Sequence, residues 1–182
     1  ILPEGIIIDA KSGVSGAGRA AKQANLFTEI DGGVSVYGVA AHRHAPEIEQ
    51  SLGWAAKANV TVTFTPHLMP MNRGILSTIY VKLVKGKTAT DDLRHVLEHG
   101  YKHEPFVHML PEGVMPSTHQ VRGTNHCVIN VFADRIAGQA IIVSATDNAK
   151  TNVSDNFPLA SIAGMPTSAR RAPIANCVGR LE

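Results

Sequence analysis

Cysteine is scarce in this 182-residue chain: Cys127 and Cys177 are the two present. They cannot build a disulfide framework, and a reducing compartment is the simpler setting. Aromatic residues make up 5% of the chain, so aliphatic side chains must fill most of any core. No apolar run is long enough to span a bilayer, and the start lacks the basic, apolar and small-residue order of a signal peptide. An excess of one charge is missing too. Lys and Arg total 17 against 15 Asp and Glu, a net charge of +2 with no dense basic run. Nucleic acid therefore has no electrostatic footprint here. The first residue is Ile1 and not Met, which predicts a processed or partial chain.

What is present suits one globular domain, with 44% hydrophobic and 18% charged residues. Gly5 to Ala10 (GIIIDA) reads as a buried strand, and Val34 to Ala40 (VSVYGVA) as a second. Pro46 to Asn59 reads as a helix, with Pro46 at its first position and Glu47 and Glu49 in the first turn. Ile48, Leu52, Ala55 and Ala56 fall on one face of it. Val60 to Thr65 alternates apolar residues with threonine, a half-buried strand that Pro66 and Pro70 should break. Ile75 to Val84 is expected to pair antiparallel with it, followed by a turn at Gly86-Lys87. Thr88 to Tyr101 reads as a second helix, opened by a capping-box-like Thr88 and Asp91, with Leu93, Val96, Leu97 and Tyr101 buried. Phe106–Leu110, Thr118–Ala133 and Gln139–Thr146 complete the strands, with a hairpin loop over 134–138. Hairpin-length connections predict an α+β fold: a mixed, largely antiparallel sheet with helices packed on one face. Domain 1–148 is then followed by a loop-like tail, 149–182, with no periodicity.

Three patches carry candidate chemistry. The loop SGVSGAGR (Ser12 to Arg19) follows a strand, but its glycines run G-x-x-G-x-G, which is not the dinucleotide fingerprint. It is either a plain turn or a nest of backbone N–H groups for an anion, with Arg19 supplying charge. The stretch AHRHAPEIEQ (Ala41 to Gln50) holds His42 and His44 at H-x-H spacing. A metal would need further ligands, and none is evident. One reading makes these residues an exposed polar loop. The other makes His44, beside a helix N-terminus that lowers an imidazole pKa, an acid/base group. Glu47 would orient its ring, and Arg43 would hold an anionic substrate. The third patch, FTPHLMPMNRGI (Phe64 to Ile75), puts His67, Asn72 and Arg73 in a loop between strands. Cys127 reads as a small core residue.

Together, IIIDAKSGVSGAGR, YGVAAHRHAPEIEQ, FTPHLMPMNRGI and VRGTNH (Val121 to His126) resemble the N-acetyl-gamma-glutamyl-phosphate reductases, relatives of the aspartate-semialdehyde dehydrogenases, in plant-like wording. The resemblance covers roughly residues 6–148. It implies a glyceraldehyde-3-phosphate-dehydrogenase-like C-terminal domain that pairs subunits into a homodimer or homotetramer. It further implies reduction of N-acetylglutamyl 5-phosphate to the 5-semialdehyde with NADPH, the reduced form of its NADP cofactor, in arginine biosynthesis, in the cytoplasm or a plastid stroma. Carried over residue by residue, it makes His44 the acid/base group. His42, Arg43, Glu47, Arg19 and Arg73 become substrate contacts, and Ser12, Gly13, Ser15 and Gly16 the loop facing the cofactor. No metal and no nucleic acid is implied.

The resemblance also sets limits. The family's amino-terminal nucleotide-binding part and its nucleophilic Gly-Cys-Tyr-Pro-Thr segment are absent, and neither cysteine matches that motif. After Asp147-Asn148 the chain leaves the family pattern. A substrate-binding and assembly domain, inactive alone, is therefore expected. A non-catalytic oligomerising module on the same fold is the alternative, and an independent anion-binding protein using the Ser12–Arg19 nest is a third.

Overall fold

The computed structural model describes residues 1–17, 22–84 and 90–147. Arg19, the Gly86-Lys87 turn, the Thr88 cap and the 149–182 tail lie outside the described residues. The chain runs β1 (Ile6–Ser12), α1 (Phe27–Ile30), β2 (Ser35–Val36), α2 (His44–Ala56), β3 (Val62–Leu68) and β4 (Ile75–Lys82). It continues with α3 (Thr90–Tyr101), β5 (Val107–Met109), β6 (Cys127–Ala133) and β7 (Gln139–Thr146). The strands form one seven-stranded mixed sheet in the order β2-β3-β1-β4-β7-β6-β5.

The sheet has two unlike faces because strand side chains alternate. On one face, Ile6, Ile8, Ile79, Val81, Ile129, Val131 and Ile142 pack with Ile48 and Leu52 of α2 and Leu93, Leu97 and Tyr101 of α3. Both helices thus cover the same face. Each aliphatic side chain fully buried there contributes about 1.5–3 kcal/mol. Val96 departs from the expected stripe and is 42% exposed. On the other face, Val121 packs on Val128 and Ala145, with Leu76 and Leu110 alongside. No helix covers this face among the described residues, and Ile7 on it is 43% exposed.

Four expectations need correction. The strand expected at Val34–Ala40 shrinks to Ser35–Val36. Residues 31–40 are all exposed, so alternation buries nothing there, and positive φ angles at Gly38 (59°) and Ala40 (54°) turn the chain away. Next, β3 runs through Pro66, which pairs in register with Ala10 of β1. The carbonyl of Pro66 accepts the Tyr37 N–H on the other flank. A residue's N and C=O point the same way in a strand, so the missing N–H faces the short edge strand and leaves the β1 ladder whole. Third, β4 does not pair with β3. It pairs with β1 and β7, because β1 inserts between them as a parallel partner of β3. Fourth, the strand expected from Thr118 begins only at Cys127. Ser117 and Gln120 form a capping box over a 3-10 turn at Thr118–Gln120, and Gly123 turns the chain at φ 76°.

Candidate active site

The histidine corner begins with a helix-capping problem. The first amides of a helix have no partner inside it. Here the residue at the cap position is Arg43, which makes no side-chain cap bond and has no acceptor to offer. His42 supplies what Arg43 cannot. Its Nδ1 accepts the His44 N–H at 3.2 Å, and its carbonyl accepts the Ala45 N–H at 3.0 Å. Pro46 follows as the third residue of α2, not the first as expected, and has no N–H needing a partner. His44 itself opens the helix.

The two imidazoles are packed together. Their centroids lie 4.9 Å apart in an edge-on arrangement. The His42 ring also meets Tyr37 at 5.5 Å and Phe64 of β3 at 5.1 Å, both edge-on. Burial holds His44 below the ordinary imidazole value, opposed by Glu47 and aided by Arg43. Burial does the same to His42, with His44 and Arg43 adding to the effect and Glu47 opposing it. Both shifts favour the neutral ring, the state in which an imidazole can take up a proton. Arg43 and Glu47 are exposed at the corner's rim.

Tyr37 links this corner to the end of β1. Its hydroxyl shares a hydrogen bond with the Ser12 side chain, which partly offsets the rise that burial imposes on the phenol. Ser12 in turn donates to the Gly13 carbonyl at 3.1 Å. Gly13 lies against the loop after β3. A Cβ there would come within 2.9 Å of the Arg73 backbone N and C and of the Met71 carbonyl oxygen. This close approach, not a left-handed φ, is what requires glycine. The Arg73 side chain is exposed beside it.

The amides of the Ser12 loop answer the anion-nest idea. Gly13 donates to Gly74 O, Val14 to Met71 O, Ser15 to Asn72 O and Gly16 to Gly13 O. These four N–H groups are all taken by carbonyls, so among the described residues the Gly13–Gly16 stretch offers no cradle of amides to a phosphate. Ser15 and Gly16 remain exposed on its shoulder.

Other candidates fall elsewhere. His67 is not in a loop; it lies on β3 with its ring on the sheet face away from the helices. Its Nδ1 is 3.1 Å from Asp9 Oδ1, and Asp9 Oδ2 is 2.7 Å from Lys11 Nζ. The His67–Asp9 contact is close enough for an ion pair but lacks hydrogen-bond geometry. Cys127 is buried in the helix-covered core, where burial pushes its thiol up to about 12. It is no activated nucleophile. Among the described residues no three His, Cys, Asp or Glu side chains converge on a metal position, and no helix is long and apolar enough to cross a membrane.

Sequence reasoning missed Tyr37 and Phe64, which reach His42 only through the order of the strands. It also missed a support on the far side of the sheet. Asn130, fully buried, donates through Nδ2 to the Pro111 carbonyl (2.9 Å) and the Val114 carbonyl (2.8 Å). Its Oδ1 accepts from Arg94 Nη1 at 2.7 Å. Nearby, Asp147 Oδ2 accepts the Gly123 N–H at 2.8 Å and fixes the VRGT turn.

Residues 1–148 match the family described as "Semialdehyde dehydrogenase, dimerisation domain". A protein of Arabidopsis thaliana named "Probable N-acetyl-gamma-glutamyl-phosphate reductase, chloroplastic" is 61% identical over 148 residues, covering 81% of this chain and 37% of the relative. The N-acetyl-gamma-glutamyl-phosphate reductase of Rhodospirillum rubrum is 56% identical, covering 81% of this chain and 42% of its own. The chain thus spans about two fifths of the length of these curated relatives. A solved structure of a probable aspartate-semialdehyde dehydrogenase from Pseudomonas aeruginosa superposes with a TM-score of 0.61 at 14% identity, over 87% of this chain and 53% of that one. Aspartate semialdehyde dehydrogenase II of Vibrio cholerae gives 0.59 at 12% identity, over 86% and 52%. At such identities these two structures bear on the fold alone.

Proposed function

The chain belongs to the semialdehyde dehydrogenase dimerisation-domain family, and on that premise we propose that it is the substrate-binding and assembly part of an NADP-dependent N-acetyl-gamma-glutamyl-phosphate reductase. The observation that carries the proposal is the pair of neutral, half-buried imidazoles at the start of α2, in a domain 61% identical to a relative bearing that name.

In this reading His44 is the acid/base group. It accepts a proton as a thiol attacks the acyl phosphate and phosphate leaves, and it returns a proton as the thioester becomes the aldehyde. We place the thiol in a portion of the enzyme that this chain does not span, since Cys127 is sealed in the core and Cys177 lacks the nucleophile's sequence motif. Arg43, Arg73 and Arg19 hold the anionic substrate, His42 adds a donor, and Glu47 biases the His44 ring. NADPH, the reduced form of the cofactor that would supply the hydride, is held mainly outside this chain. The loop of Ser12, Gly13, Ser15 and Gly16 forms the wall its nicotinamide end approaches, because the Gly13, Ser15 and Gly16 amides are bonded to carbonyls and not free for phosphates.

The sheet face away from the helices is the proposed homodimer or homotetramer surface. Part of its apolar surface, Ile7 and Leu76 included, is only partly covered within one chain. The setting is the cytoplasm, or the plastid stroma for a plant source.

The test runs the reaction backwards: formation of NADPH from N-acetylglutamate 5-semialdehyde, phosphate and NADP. The chain is assayed alone, and then with the separately made amino-terminal portion of the Arabidopsis relative. Activity only in the mixture, lost in His44→Ala, is the expected result. A mixture shown to assemble yet inactive would favour the non-catalytic module, and activity from the chain alone would overturn the placement of the nucleophile.

A further inference from the structure

We propose that His42 is a positioning residue: its imidazole caps α2, which locks the ring in one tautomer and fixes His44 at the helix start. The proposal rests on the reading above only for what His44 does; the capping geometry stands apart from it.

Three observations converge. The residue at the formal cap position, Arg43, has no acceptor and makes no cap bond. The His42 ring supplies the acceptor from one position earlier, with Nδ1 3.2 Å from the His44 N. And the ring cannot swing away freely, because Tyr37 of the loop after β2, Phe64 of β3 and the His44 ring of α2 meet it edge-on.

The consequences are chemical. Nδ1 must keep its lone pair to accept the His44 N–H, so the neutral ring carries its proton on Nε2. A proton arriving on Nδ1 would set two N–H groups against each other and break the cap. Protonation of His42 and the seating of His44 are therefore coupled. The ionisable and charged groups facing the pair are Tyr37 from the β2 side and Arg43 and Glu47 from α2. Of these, Glu47 alone favours protonation.

The test is NMR on the intact chain, with two variants that separate acceptor from ring. Long-range nitrogen–proton spectra of the imidazoles at about pH 8, above the ordinary imidazole value, should show His42 as the Nε2–H form. His42→Asn places a side-chain oxygen where Nδ1 was, and asparagine is a strong capping residue. His42→Phe keeps a ring between Tyr37 and Phe64 but has no acceptor. Exchange of the His44 amide should stay slow in His42→Asn and speed up about fivefold in His42→Phe, the factor expected for one lost cap. The titration of the His44 ring should stay depressed in His42→Asn and move up towards the ordinary value in His42→Phe. An Nδ1–H form of His42, or equal exchange in the two variants, would overturn the proposal. If His42→Phe does not fold, the wild-type tautomer and the His42→Asn exchange rate decide it. Neither reading depends on turnover, so a failed reductase assay would leave this result standing.

Discussion

Replacing Gly13 with alanine sets two calculable effects against each other. The φ of Gly13 is not in the left-handed region, so alanine loses nothing in backbone conformation. By narrowing the unfolded ensemble it should even stabilise by about 0.4–1 kcal/mol. Packing opposes this. The new methyl would sit 2.9 Å from three atoms, Arg73 N, Arg73 C and Met71 O, all of them backbone. No rotamer change relieves such contacts; the loop after β3 must move. Overpacking of this kind costs roughly 1–3 kcal/mol, which leaves a net loss of about 1–2 kcal/mol. With a urea slope of about 2 kcal/mol per M, the midpoint should fall by roughly 0.5–1 M. The shift should also be local: amide exchange at Gly13, Val14 and Ser15 should quicken together, since each donates into the displaced 71–74 segment. Gly33→Ala serves as the control. Its Cβ would meet nothing within 4 Å and its φ is not left-handed, so it should be neutral or slightly stabilising. A Gly13→Ala protein as stable as Gly33→Ala would refute the close approach of the two loops.

Burial lowers His42 and His44, so between their folded values and about 6.5 the unfolded chain binds more protons than the folded one. Stability should therefore rise with pH through that window and be fully present above it. Urea midpoints taken across it should show a positive slope that His44→Gln flattens; a falling slope would contradict the burial. In a Cys177→Ser background, Cys127, with its thiol pushed up to about 12, should resist a thiol reagent at about pH 8 until urea unfolds the chain. Labelling of the native protein at the unfolded rate would place Cys127 outside the core. Asn130→Ala removes the bonds to Pro111, Val114 and Arg94 and should destabilise by about 3 kcal/mol; a loss under half that in thermal unfolding would mean that water replaces the amide.

The parts of the fold that the sequence made legible are those where burial and pattern coincide. β7 occupies Gln139–Thr146, the strand bounds expected there, and α2 buries Ile48, Leu52 and Ala55 at helical spacing. Where strand-forming residues bury nothing, as at Val34 and Val39, composition misleads. Pro66 misleads in the opposite sense, because what matters is which flank its missing N–H faces, and that depends on a neighbour remote in sequence. The same logic governs the site. His42 and His44 stood out through their spacing and the Pro-Glu that follows. Tyr37 and Phe64 did not, since only the antiparallel pairing of β2 with β3 brings their segments together. The nest at Ser12–Gly16 looked open in sequence because its acceptors, Met71, Asn72 and Gly74, lie in another loop.

The placement of β1 also has a mechanical meaning. It is bonded along its length to β3 on one flank and to β4 on the other, and Leu2 extends the grip with an N–H to Lys82 O at 2.8 Å. A pull on the start of the chain along this strand would load both ladders in shear, all bonds sharing the force, and not peel them one at a time. The strand is a strut about 20 Å long at the usual rise per residue, anchored in the middle of the sheet. Its far end is Ser12, in contact with Tyr37. A load at the start of the chain would therefore be taken up by the two ladders, and the Ser12 end would keep its place against Tyr37 and the histidine corner.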